Sequence, residues 1–407
     1  MPPRPSLSRP PRSNRLAGVD ALVAILPQAQ AERLAGVLGA EDIATLRHVA
    51  RKGAGANSLR ALGSDLGYLE AWCRTATGAP LPWPATEALA LKFVAHHLWD
   101  PEEHARDPNH GMPSEVAGAL RAGGFLRTAG PHAPATVRRR LSSWATLHTW
   151  RGLDHPLGAP ALRKTLRLAT RAAGRPAAPH SRQAITRDIL LRLLTPLDAM
   201  AARPHTPGER RADAARLTAL RDRAILSLGF GSGGRRRSEI TGLRLAQVEW
   251  VFAEGTLRGR LPPAPPHGCL LHLGRTKTHD AVEDRTVGAM GRPATDLLHW
   301  LRAGAIRRGA LFRKVDQWGN VSADALTPQA VNQIVKRRAA EAGLDPAQVS
   351  AHGLRSGYMT TAVTDGLSLP EAMAQSTHRS VAQAARYFDA ANARTGKAAA
   401  LLRTPDQ

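Results

Sequence analysis

The chain has 407 residues, 56 of them Lys or Arg against 33 Asp or Glu, for a formal net charge of +23. Hydrophobic residues at 43% and charged ones at 22% are ordinary globular values, which excludes a wholly disordered chain; the length suits about two or three domains. The charge points to a polyanionic partner, nucleic acid or an anionic membrane surface.

In chain order, residues 1–40 are expected to form a basic flexible arm and a leading helix, because Arg4, Arg9, Arg12 and Arg15 lie among prolines and serines with no acid before Asp20. Residues 41–173 read as a helical domain. Leu59, Leu62, Leu66, Leu69 and Trp72 recur at helical spacing behind Asn57 or Ser58, and Pro82 and Pro84 are expected to stop that helix. Thr86 opens another helix with Leu89, Phe93 and Leu98 inward, and residues 100–130 read as an irregular connection holding one short helix. Val137, Leu141, Trp144 and Ala145 form an apolar stripe beside Arg138, Arg139 and Arg140. A helix from about Ala161 to Ala173 carries Arg163, Lys164, Arg167 and Arg171. One charge run is usually a solvated face, but several in one helical domain point to a side that meets DNA. Residues 174–184, with Pro176 and Pro179, read as a linker.

The remainder, 185–407, predicts helices around Thr186–Leu194 and Arg211–Leu228, short strands at Val248–Phe252, Leu270–Leu273 and Arg285–Met290, and helices from Pro328 onward. The fold class is thus mostly α with a small antiparallel sheet in the C-terminal domain. No run approaches the ~18 consecutive apolar residues of a membrane-spanning helix, and Ala21–Leu26 is too short for a signal peptide. With only Cys73 and Cys269, a reducing, cytoplasmic setting is expected, nucleoid-associated with DNA as the polyanionic partner, and with no membrane partner.

The chemistry-bearing residues lie in this second half. His352 and Arg355 stand three residues apart, on one helical face that suits a small anion. His378 and Tyr387 are nine residues apart, which on one unbroken helix is about 900°, half a turn out of phase. Ser380 and Gln383 form a capping-box pattern, however, so a fresh helix is expected near Val381, and that break lets both side chains face one site. Upstream, the Gly231–Glu239 run joins a glycine-rich turn to a basic helix entry without the Gly-Lys-Ser/Thr ending of a P-loop. Gly274-Arg275-Thr276-Lys277-Thr278 sits between two predicted strands. No histidine spacing suggests a metal site, and no cofactor is expected. Singly, each residue has a plainer reading: packing for the tyrosine, a structural role for either histidine, an exposed turn for the lysine.

In this order and spacing the set resembles the tyrosine recombinase (phage integrase) superfamily: Gly-x-Arg-x-Ser-Glu at 234–239, a hairpin lysine, His-x-Leu-Arg at 352–355, then His378 and Tyr387. The Gly-Arg-Thr-Lys-Thr run and the helical stretch from about Asn57 to Ala173 look like the Cre-like branch. Thr377 stands where the family usually has glycine, and a positive φ there costs a threonine more.

The resemblance implies a helical core-binding domain and a mixed α/β catalytic domain that clamp duplex DNA. It implies Tyr387 as nucleophile, Arg236 and Arg355 on the scissile phosphate, and Glu239 orienting Arg236. His352 would assist proton transfer, His378 would hydrogen-bond the phosphate, and Lys277 would be the general acid. Arg138, Arg139, Arg140, Arg163, Lys164, Arg167, Arg235, Arg237 and Arg275 are the candidate DNA contacts. The implied activity is site-specific recombination through a 3′-phosphotyrosine and a Holliday junction. A monomer or weak oligomer would assemble as a homotetramer on specific DNA sites, with the tail Ala390–Leu402 docking on a neighbouring protomer. The alternatives are a type IB topoisomerase-like enzyme and a catalytically inert DNA-binding regulator.

Overall fold

In a computed structural model, the structure describes residues 56–127, 130–155, 158–172, 183–204, 209–274, 285–378 and 380–395. The expected arm, most of the linker, and Arg275 and Lys277 lie outside the described residues, as does the tail beyond Thr395. The chain divides into two compact units between Ala177 and Ala178.

The first unit is helical: α1 (Ala56–Thr77), α2 (Glu87–His97), α3 (Pro101–Arg106), α4 (Ser114–Ala122), α5 (Pro134–Trp150) and α6 (Pro160–Ala172). The apolar stripe of α1 turns inward as its spacing requires, and Leu69 and Trp72 are fully buried with Phe93 of α2 and Val137 and Trp144 of α5. Helix α1 ends before Pro82, because Gly78 takes φ 73° and its N–H returns to the Arg74 carbonyl, a left-handed stop that needs no proline. The Thr86 hydroxyl caps α2 by accepting from the Leu89 N–H at 3.2 Å. The connection after α2 holds two short helices, α3 and α4, rather than one. Asp100 caps α3 by accepting from the Glu102 N–H, and Val116 and Leu120 anchor α4 in the core.

A polar cluster runs through this core. The Tyr68 hydroxyl meets Nε2 of His97 at 2.6 Å, His97 stacks on His132 at 4.8 Å, and Trp72 donates to Nδ1 of His96. Burial, with Lys92 beside it, pushes His96 down to about 4. Burial and the Arg140 charge do the same to His132, and burial with His132 nearby holds His97 well below its ordinary range. These rings are neutral when folded, whereas in the unfolded chain they take up protons near the ordinary histidine value of 6.5. Their contribution is therefore complete above about pH 6.5 and is lost as pH falls toward 4. The urea midpoint of this unit's transition is expected to drop steadily over that window, and His132→Gln to make the drop shallower; equal pH slopes for variant and parent would contradict this.

The second unit opens with α7 (Arg187–Ala201) and α8 (Arg210–Gly231), followed by α9 (Arg237–Gly242). A four-stranded antiparallel sheet follows, with β1 (Val248–Phe252), β2 (Gly255–Arg258), β3 (Gly268–Leu273) and β4 (Arg285–Met290) in the order β2-β1-β3-β4. Its buried side chains, Trp250, Cys269, Leu271, Val287 and Ala289, belong to the same core as Leu297, Leu298 and Leu301 of α10 (Arg292–Ala303). A small antiparallel pair, β5 (Arg313–Val315) and β6 (Val321–Ala325), precedes α11 (Pro328–Glu341), α12 (His352–Thr364), α13 (Leu369–Ser376) and α14 (Val381–Thr395). Fully buried Asp222 of α8 accepts from Arg221 and from Arg337 and Arg338 of α11, tying those helices together. Among the described residues no helix is long and apolar enough to cross a membrane.

Candidate active site

Three junctions of the second unit bring the candidate residues together. The first is the turn after α8. Gly233 and Gly234 take φ 98° and 69°, and each is pressed against a neighbouring backbone. A Cβ on Gly233 would lie 2.2 Å from the Gln375 carbonyl oxygen, and one on Gly234 would lie 2.4 Å from Cα of Arg355. The glycines are required by close approach, which brings Arg236, at the start of α9, toward the first turn of α12. Glu239 accepts from both the Arg236 backbone N–H at 3.1 Å and its Nη1 at 2.7 Å, leaving the side chain partly exposed in a fixed pose.

The second junction is the start of α12, which begins at His352 and so places His352 and Arg355 one turn apart. Arg355 is only 3% exposed. Its Nε donates to Nε2 of His378 at 3.1 Å and its Nη1 to the Gly234 carbonyl at 3.2 Å. Its Nη2 is buried and has no hydrogen-bond partner among the described residues. Burial, with Arg236 and Arg235 nearby, pulls this guanidinium down to about 10. It remains charged at neutral pH, an unsatisfied buried donor.

The third junction is the α13–α14 break. Ser380 caps α14 by accepting from the Gln383 N–H at 3.2 Å, and α14 starts at Val381. The His378 and Tyr387 rings accordingly lie 6.1 Å apart, and the half-buried Tyr387 hydroxyl faces Nε2 of His352 at 3.4 Å. Tyr358 packs edge-on against Phe230, and burial raises its phenol, so packing accounts for it.

The His378 ring is held between Arg355 and Ser376. Arginine only donates, so Nε2 of His378 is its bare acceptor, and Nδ1–H donates to Ser376 Oγ at 2.7 Å. Burial and the nearby arginines hold the ring neutral, with its pKa lowered to about 3. Both ring nitrogens are thus engaged, Nε2 on Arg355 and Nδ1 on Ser376. Ser376, which fixes its tautomer, was not legible from the sequence, since a lone serine beside a histidine carries no signal.

Two candidate DNA contacts are corrected. Arg235 is 1% exposed; it donates to the Gln375 carbonyl at 2.6 Å and to Thr377 Oγ1 at 3.3 Å. In the first unit, Arg140 is buried with its guanidinium 3.2 Å from the centre of the Tyr68 ring and its Nη1 3.3 Å from Nε2 of His132. Both guanidinium groups are turned inward, Arg140 from a core-facing position of α5 and Arg235 from the turn between α8 and α9. Arg138, Arg163, Lys164, Arg167 and Arg237 are exposed, and Arg139 is about half-exposed while paired with buried Asp65. Arg163→Ala is expected to weaken DNA binding and to reduce the slope of affinity against salt by about one. Arg140→Ala should instead lower the melting temperature, and a wild-type melt for it would contradict the inward role.

Residues 210–394 match the phage integrase family. An integrase/recombinase xerD homolog of Selenomonas ruminantium is 26% identical over 186 residues, 44% of this chain and 50% of that protein. The tyrosine recombinase XerD of Xanthomonas axonopodis pv. citri (strain 306) is 32% identical over 154 residues, 37% of this chain and 44% of that protein. The chain spans about half the length of the curated relatives it matches. Among solved structures, the XerH site-specific recombinase bound to palindromic difH substrate in a post-cleavage complex aligns over 84% of this chain and 97% of that chain, at 14% identity and a TM-score of 0.41. Residues 210–394, which hold every described residue of the site, thus form a domain of the phage integrase family, the tyrosine recombinases.

Proposed function

We propose that the protein is a site-specific DNA recombinase that breaks and rejoins strands through a 3′-phosphotyrosyl intermediate. The observation that carries this is the buried Arg355 guanidinium, which keeps one unsatisfied donor with His378 bonded to it, Arg236 and Tyr387 near it, and His352 beside Tyr387. A phosphodiester oxygen supplies the missing acceptor. Arg355 Nη2 and the Glu239-braced Arg236 hold the non-bridging oxygens, where negative charge builds in the transition state. Tyr387 Oη forms the new bond to phosphorus as the bond to the 5′-oxygen breaks. The phenolic proton passes to Nε2 of His352, and Lys277 delivers a proton to the departing 5′-oxygen. The phosphotyrosyl bond conserves the energy of the broken phosphodiester for rejoining.

Double-stranded DNA is the substrate, and the exposed arginines of α5 and α6 hold its backbone, so affinity falls steeply with salt. Exchange of two strand pairs proceeds through a Holliday junction in a homotetramer, and the Cre-like likeness rests on the Gly274–Thr278 run and the N-terminal helix pattern. The test is incubation with nicked suicide duplexes carrying the protein's own recovered binding site, together with two-site plasmids. A covalent adduct and exchanged products are expected. Relaxation with no exchanged product identifies the topoisomerase-like alternative, and binding with no adduct identifies the inert regulator.

A further inference from the structure

The Gly231–Arg235 turn and the α13–α14 break meet through a contact that the catalytic reading leaves unused. Thr377 takes φ 56° and ψ 41°, a left-handed conformation that strains a β-branched residue. It ends α13 with its N–H toward the Ala374 carbonyl, and the His378 N–H follows to the Met373 carbonyl at 3.2 Å. The strained residue therefore aims His378 directly. Against it lies Arg235, with Nη1 on Thr377 Oγ1 at 3.3 Å, Nη2 on the Gln375 carbonyl at 2.6 Å, and Glu239 Oε2 at 3.8 Å from Nη1. Gln375 reaches back from the other side, donating to the carbonyls of Gly231 and Gly288.

A buried arginine is expensive unless its donors are used, and here two of them are spent on the three residues before His378. The same carboxylate that braces Arg236 lies beside Arg235, so both halves of the site share one frame. We propose that Arg235 is a positioning residue of this site: its guanidinium clamps the left-handed turn at Thr377 and so holds the His378 ring against Arg355. The pair explains how threonine occupies a backbone position suited to glycine, since the side chain that raises the strain also supplies the clamp's acceptor.

This inference rests on the strand-cleavage reading for its rate readout, and a second readout needs no DNA. Single-turnover cleavage of a nicked suicide duplex is measured for Arg235→Gln, in the parent and in the Thr377→Gly background, alongside Thr377→Val. The imidazole 15N signals of His378 are recorded for each protein. Arg235→Gln and Thr377→Val should each slow cleavage about tenfold, with DNA affinity unchanged, the coupling expected for directly bonded neighbours. In the Thr377→Gly background, where the left-handed turn is free of strain, Arg235→Gln should change the rate less than about threefold. The 15N spectra should show the Nδ1–H tautomer of His378 lost or averaged in Arg235→Gln and Thr377→Val alone. Equal losses in both backgrounds, or an unmoved His378 tautomer in both variants, overturn the clamp. If the parent forms no adduct the cleavage reading fails, and the 15N comparison by itself then decides for or against the clamp.

Discussion

Arg355→Lys is expected to lower the rate of strand cleavage by about a hundred- to a thousandfold, the range for loss of a buried donor at the transition state, while DNA affinity stays nearly constant. The guanidinium works in three directions at once, toward His378, toward the Gly234 carbonyl and toward the open position at Nη2. A lysine has one nitrogen for these three tasks, and it lacks the planar fork that fits two phosphate oxygens. Much of the binding energy comes from phosphates away from the scissile one, so affinity is the wrong place to look for this loss. Rapid-quench cleavage beside a filter-binding titration separates the two, and a lysine variant that cleaves within tenfold of the parent would mean that Arg355 does not hold the reacting phosphate.

Tyr387→Phe should eliminate the covalent adduct while leaving the fold and the binding step intact. The change removes one oxygen from a half-buried ring that faces His352 and His378, and Phe388 beside it continues to fill the small core of Met359, Ala362, Ala372 and Ala384. Stability should therefore shift by no more than about 0.5 kcal/mol. Tyr358→Phe is the control: that ring packs on Phe230, and its variant should retain the adduct. Denaturing gel electrophoresis of protein bound to labelled nicked DNA reads both, and an adduct that survives Tyr387→Phe assigns the nucleophile elsewhere.

Local signals in this chain proved readable where the physics is local. The Ser380–Gln383 pattern marks the break that turns His378 and Tyr387 toward each other, and the short β-like runs at β1 and β4 have the expected bounds. Helix α1 stops at Gly78, ahead of the two prolines expected to end it, and a glycine at a helix end is itself a stop signal. Strand β2 is four residues with one partly buried side chain, too short for a period to register. Arg140 and Arg235 show the deeper limit. Each sits in a run of three arginines, and nothing in such a run tells which member faces inward. That choice is made by Tyr68, 72 positions before Arg140, and by Gln375 and Thr377, some 140 positions after Arg235. The committed state of His378 was hidden for the same reason, because its partners Arg355 and Ser376 meet only once the α13–α14 turn has formed.

The most direct test is to digest the trapped protein–DNA adduct with protease and nuclease and to sequence the surviving nucleotidyl peptide by mass spectrometry. A single modified peptide that contains Tyr387 is expected, with the nucleotide joined through its 3′-phosphate to the phenol oxygen. A nucleotide on Tyr358, on a serine or on any other side chain, or one joined through a 5′-phosphate, would contradict it.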